Sequence, residues 1–285
     1  MTYRVSSYIL GLGQVCDLSI SHVKQRKIMD SFKRIDILGC PFDVISFSET
    51  AQQIKRAVLE NKKLQFCPGS VDFVMKARRD LRFAEALWRA DCVFADGVPI
   101  VWAASLLGQP LKGRVSGTDI VWKCAEISAE LGCTVAMIGG TFSLTRRAAE
   151  KMQEQYPSAK LYPIPTPFPL GAEENQELVQ EIRSVDARIV LVALGAPRQE
   201  RWVQTNLAAC GANVGIGTGS AFDIISGDKP RAPKWMCDNG FEWLYRMIQD
   251  PKRLGRRYII NDSPFFFYLA LEIMKKRMNG RRRKL

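Results

Sequence analysis

The chain has one histidine, His22. Zinc centres, Cys–His dyads and Ser–His–Asp triads need imidazole, so each depends on that residue or is excluded. The eight cysteines (Cys16, Cys40, Cys67, Cys92, Cys124, Cys133, Cys210 and Cys237) form no C-x-x-C pair and no Cys/His cluster. Scattered through apolar runs, they read as buried, reduced thiols. No apolar run reaches the roughly 18 residues that suggest a membrane span. The longest, Pro264–Met274, has 11 residues and contains Glu272. The N-terminal MTYRVSSYILGLGQV lacks a signal-peptide core and cleavage site. These absences predict a cytoplasmic protein whose membrane contact, if any, is peripheral. Neither G-x-G-x-x-G nor G-x-x-x-x-G-K-[ST] occurs, so dinucleotide and P-loop nucleotide binding lose support.

What is present is unevenly distributed. The net charge is +12 over 285 residues, yet residues 229–285 hold 15 Lys/Arg against 5 Asp/Glu. A near-neutral body therefore carries one cationic end that seeks an anion. Residues 1–33 read as a weakly patterned extension, 34–228 as an α/β core and 229–285 as a basic, helical appendage. In the core, short apolar runs (Arg34–Leu38, Leu64–Cys67, Cys92–Ala95, Thr134–Ile138, Lys160–Ile164, Arg188–Leu194, Asn213–Gly217) alternate with helical patterns. One such helix spans Ser48–Asn61, with Ser48 as its N-cap. The alternation predicts a Rossmann-like, mostly parallel sheet covered by helices on both faces.

In such sheets ligands bind beyond the carboxyl ends of the strands. Asp96-Gly97 follows one strand, and a carboxylate there either accepts a proton from a substrate hydroxyl or caps the next helix. Gly139-Gly140 follows another, offering backbone amides to a phosphate or making a tight turn. Gln199 follows a third, as an amide donor or a helix cap. Arg114 supplies charge or an ordinary ion pair. Asp223, beyond Gly215–Ser220, is placed to accept hydrogen bonds from a base or sugar.

Several motifs together resemble the WecG/TagA/CpsF family of bacterial glycosyltransferases: Ala95–Val101 (ADGVPIV), Arg114–Asp119 (RVSGTD), Gly195–Glu200 (GAPRQE), Arg231–Trp235 (RAPKW), Glu242–Arg246 (EWLYR) and Pro251–Arg253 (PKR). The likeness runs in order from about Arg34 to Tyr258. It implies an inverting enzyme that moves a sugar from a UDP-sugar to a polyprenyl-diphosphate-linked saccharide at the inner membrane face, in cell-surface polysaccharide or exopolysaccharide synthesis. It places the catalytic Asp at Asp96, active-site Arg and Gln at Arg114 and Gln199, and a nucleotide-contacting Asp at Asp223. It also implies that the segment holding Arg246, Arg253, Arg256 and Arg257 corresponds to the family's C-terminal appendage, expected to close the site and touch the membrane. Where relatives carry Thr-Pro-Asn, this chain reads Pro68-Gly69-Ser70, leaving Ser70 as the hydroxyl at that wall.

No D-x-D occurs, so neither a metal nor any other cofactor is expected; amides at Gly139-Gly140 and the appendage arginines are expected to meet the leaving UDP. The run Phe265–Met274, followed by Lys275, Lys276, Arg277 and 281–284, predicts binding to an anionic membrane surface. The same helix packed on the core is the plainer reading. Nucleic acid is not expected as a partner, and homo-oligomerisation stays open. A membrane-tethered nucleotide-sugar-binding scaffold without catalysis is the alternative to an enzyme.

Overall fold

The computed structural model describes residues 4–7, 16–19, 32–166 and 169–282, with side chains from Phe32 onward except at 253 and 279–282. His22, most of the 1–33 extension and residues 283–285 lie outside the described residues. The side chains of Arg253, Arg281 and Arg282 do as well.

Two short hairpins come first. Strand β1 (Arg4–Ser7) pairs antiparallel with β2 (Cys16–Ser19). Strand β3 (Arg34–Ile37) pairs antiparallel with β4 (Cys40–Asp43). The α/β alternation predicted to open at Arg34–Leu38 therefore opens one strand later. Buried Arg34 seals the second hairpin: it grips the Asp43 carboxylate at 2.9 and 2.6 Å and donates to the Trp88 and Ala90 carbonyls. Helix α1 (Phe47–Leu59) follows, and its cap is Ser46 rather than Ser48. Ser46 Oγ accepts the Glu49 N–H, and the Glu49 carboxylate accepts the Ser46 N–H at 2.8 Å, a capping box.

The core then alternates. Strand β5 (Leu64–Gly69) leads to α2 (Val71–Ala77) and α3 (Leu81–Arg89). Strand β6 (Cys92–Ala95) leads to α4 (Val98–Leu106) and α5 (Gly117–Leu131). Next come β7 (Thr134–Gly139), α6 (Phe142–Gln155), β8 (Lys160–Ile164) and α7 (Ala172–Ser184). Strand β9 (Ala187–Ala193), α8 (Arg198–Asn206), β10 (Val214–Gly217) and α9 (Ala221–Ile225) complete it.

Among the described residues these strands form a six-stranded sheet, ordered β6-β5-β10-β9-β7-β8, with every pairing parallel. The two-residue period of the strands sorts the core. Phe66, Val135, Met137, Ile189, Leu191 and Ile216 face α1, α5, α6 and α9. On the other face Ile138, Val190 and Val192 meet α7 and α8. Cys67, Val93 and Ala95 meet the β3–β4 hairpin, α2, α3 and α4. The cysteines with described side chains are buried free thiols.

The appendage is helical: α10 (Lys234–Asp238), α11 (Glu242–Gln249), α12 (Pro251–Gly255), a π-helical stretch Arg256–Asp262, and α13 (Pro264–Arg282). Phe265 and Leu269 of α13 are buried in the core, whereas Phe266, Phe267, Met274 and Met278 are exposed. Arg78 stacks on the Tyr268 ring at 3.9 Å. Helix α13 is thus packed on one face and open on the other. No helix among the described residues is long and apolar enough to cross a membrane.

Candidate active site

A cavity of about 1460 Å³ opens beyond the carboxyl ends of β5, β6, β9 and β10 and is walled on its far side by the appendage. Ser70, Asp96, Arg114, Gln199, Asp223, Arg246 and Arg257 all line it. Residues far apart in sequence therefore meet at the strand-end edge that a parallel sheet provides.

Asp96 directly follows β6, its N–H donating to the Gly69 carbonyl at 2.8 Å. The side chain is half-buried. Burial pushes its carboxyl up to about 6, with the nearby Glu242 carboxylate adding to the rise. Arg114, Arg246 and the Gly117 N–H pull the other way. That N–H belongs to the first turn of α5, so the positive end of a helix dipole points at Asp96. A Cβ at Gly117 would lie 3.1 Å from Asp96 Oδ2, so this close approach favours glycine.

Arg114 and Arg246 converge on one carboxylate. Arg114 Nη2 reaches Glu242 Oε2 at 2.8 Å, and Arg246 Nη2 reaches Glu242 Oε1 at 2.5 Å. Arg114 Nη1 also donates to the Cys237 carbonyl at 3.2 Å, tying the core to α10. Its buried Nε has no acceptor among the described residues. Gly240, at φ 78°, lets the α10–α11 turn close on α4; a Cβ there would lie 3.1 Å from the Trp102 ring.

Gln199 is buried, and most of its amide is engaged. Its Oε1 accepts the N–H of Gly195 at 3.1 Å and of Gly219 at 3.2 Å. Two N–H donors require the oxygen at that position, which settles the amide orientation. Its Nε2 donates to Glu200 Oε1 at 2.6 Å. Glu200 is fully buried, and burial pushes its carboxyl up to about 7. Gln199 thus staples the loop after β9 to the loop after β10. A Cβ at Gly217 would lie 2.5 Å from Gln199 Nε2, so the staple needs a bare backbone beneath it.

At the opposite wall, Lys76 Nζ sits 2.7 Å from Asp72 Oδ2 and donates to the Ala196 carbonyl at 3.1 Å. Arg257 Nε lies 3.5 Å from Asp72 and 3.4 Å from buried Asp262. Burial, with Asp72 as a like-charge neighbour, pushes Asp262 up to about 6. Arg257 therefore faces two carboxylates before any diphosphate reaches it. Asp223 is paired with Lys229 at 2.5 Å.

Some of the expected residues are placed differently from the rest. Gly139 and Gly140 do not line the cavity. The Gly139 N–H already donates to Thr166 Oγ1 at 3.0 Å, and a Cβ there would lie 2.5 Å from the Ala193 carbonyl oxygen. This glycine serves close packing of β7 on β9. Arg256 is exposed and also off the cavity. Gln199 is a staple more than a free donor. Ser70 fares better: it stands at the N-cap of α2, yet its hydroxyl makes no capping bond, leaving it available at the wall.

The family model described as Glycosyl transferase WecG/TagA/CpsF family matches residues 35–280. The chain belongs to this family. As a WecG/TagA/CpsF member it is a glycosyltransferase by class. It is 27% identical over 245 residues to an N-acetylglucosaminyldiphosphoundecaprenol N-acetyl-beta-D-mannosaminyltransferase of Staphylococcus aureus strain MW2, covering 85% of this chain and 94% of that one. The protein of the same name from strain NCTC 8325 / PS 47 matches with the same identity and coverage.

The structure of this family member adds residues that sequence reading missed. Glu242 stands four residues before Arg246, and Asp72 four before Lys76. That spacing puts both members of each pair on one helix face, a signal available in the sequence. Glu200 lay inside the Gly195–Glu200 motif, but nothing local marked it or Asp262 as buried, since their burial comes from distant elements.

Proposed function

We propose that the protein is an inverting, metal-independent glycosyltransferase that moves a sugar from a UDP-sugar to a polyprenyl-diphosphate-linked saccharide. The observation that carries this reading is Asp96: a carboxyl pushed up to about 6, on a strand end, in a large cavity shared with Arg114 and Arg246. Asp96 takes the proton of the acceptor hydroxyl. The hydroxyl oxygen bonds to the anomeric carbon from one side. The bond from that carbon to the diphosphate oxygen breaks on the other, and UDP leaves with the electron pair. Arg114 and Arg246 stabilise the charge that develops on the leaving group. The absence of D-x-D supports arginine, rather than a divalent ion, in that role.

The relatives' name makes an N-acetylmannosamine donor and an N-acetylglucosaminyl-diphosphate lipid the first pair to try. The exposed apolar side of α13, with Phe267, Met274 and Met278, supports contact with the membrane that holds such an acceptor. Following that contact, the enzyme works at the inner face of the cytoplasmic membrane. The test is incubation of purified protein with a panel of UDP-sugars and a short-chain lipid-diphosphate saccharide, followed by mass measurement. A product heavier by one sugar is expected. No product with any donor overturns the reading.

A further inference from the structure

We propose that Glu242 is a positioning residue of this reaction: its carboxylate, carried in by the appendage, binds Arg114 of the core and Arg246 of α11 into one unit beside Asp96. The inference rests on the transfer reading above and extends it to a residue that touches no substrate.

The geometry is specific. Each carboxylate oxygen of Glu242 takes one guanidinium, at 2.8 Å for Arg114 and 2.5 Å for Arg246. The pair members come from different parts of the fold. Arg114 lies in the connection before α5, and Glu242 and Arg246 sit one turn apart on α11. Without the bridge, two like-charged guanidiniums would face each other across the cavity and separate. With it, both are held together within electrostatic reach of Asp96, as catalysis by preorganised charge requires.

The groups that act most strongly on Asp96 come from three places. From α11 come Glu242 and Arg246, from the α4–α5 connection Arg114, and from α5 the Gly117 N–H. The Cys237 carbonyl of α10 sits behind Arg114. Glu242 is the sole negative group in this set, so it opposes ionisation of Asp96. It also keeps the two arginines from over-stabilising the carboxylate, and so preserves its basicity.

The experiment compares Glu242→Gln, Glu242→Asp and Arg246→Gln in the full chain. The readouts are the carboxyl titration of Asp96 by 13C NMR without substrate, and the pH profile of transfer. Glu242→Gln removes a negative neighbour, so the Asp96 midpoint should fall by about one pH unit. Arg246→Gln removes a positive one, and the midpoint should rise. Glu242→Asp keeps the charge but is too short to span both arginines. It should hold the midpoint near wild type while kcat drops by about tenfold. Circular dichroism checks that each variant is folded, and Arg246→Gln tests the same bridge from its other end should Glu242→Gln not fold. An Asp96 midpoint that ignores both Glu242→Gln and Arg246→Gln, or a wild-type kcat in Glu242→Asp, overturns the proposal. Because the titration needs no turnover, a wild type that transfers nothing would refute the function while the Glu242 result still stands.

Discussion

Gln199 hands its amide N–H to the buried carboxyl of Glu200 at 2.6 Å, while its oxygen takes two backbone amides from separate loops. Gln199→Ala would leave those amides and Glu200 unpartnered, at a cost of about 1–3 kcal/mol. Thermal unfolding should register it as a fall of several degrees, and transfer should weaken through a raised KM for the donor as the loops loosen. A variant that loses kcat alone, with full stability, would contradict the staple.

Asp96→Asn should reduce transfer by at least 10²-fold while UDP binding, followed by calorimetry, is retained. The wild-type rate should fall as pH drops through about 6, because the raised carboxyl then takes up its proton. The same substitution should stabilise the fold at pH 7.5 by about 1–2 kcal/mol, since it removes a partly buried charge held for chemistry.

Stability itself should depend on pH in an uncommon direction. Asp36, Asp96 and Asp262 are pushed up to about 6 and Glu200 to about 7, all chiefly by burial. Between the ordinary carboxylate range and these values the folded state binds more protons than the unfolded one. Stability from these groups is therefore full at low pH and lost as pH rises through 6 to 7. Glu49 runs the opposite way, held down to about 2 by Lys112 and Ser46, and loses its contribution only as pH falls through that value. Urea midpoints should thus be higher at pH 5 than at pH 7.5. Replacing Glu200 with Gln should flatten part of the difference.

Membrane association should divide by segment. Truncation after Met274 should weaken binding to anionic liposomes while leaving UDP binding unchanged, since the cavity is complete without those residues. Phe267→Ser should weaken liposome binding as well, because that ring is exposed on α13. Co-sedimentation measures both.

The alternating strands and helices of the core were legible because burial in a parallel sheet leaves short apolar runs bounded by turns. The cavity position of Asp96 was legible through its motif and its place after a strand; Arg114, which lies between two helices, was legible through its motif alone. Strand β4 was hidden: Cys40–Asp43 contains Pro41 and pairs only with β3, outside the sheet. The packing of Gly139 was hidden because a glycine at a strand end looks alike whether it cradles an anion or lets two strands touch, and no local pattern reports its contact with Ala193. Glu200 was quoted within a motif, yet its weight comes from Gln199 and from burial.

One contact at the cavity wall bears on redesign. A Cβ at residue 69 would lie 2.6 Å from Phe42 Cε1 and 3.0 Å from Val93 Cγ1, so the phenyl ring of the β3–β4 hairpin occupies the space of the missing side chain. A proline, or any other side chain, placed at position 69 would collide with that ring. Residues 42 and 69 are therefore a coupled pair: the hairpin's phenyl ring stands where a side chain at 69 would, and a larger residue at 69 has to come with a smaller one at 42.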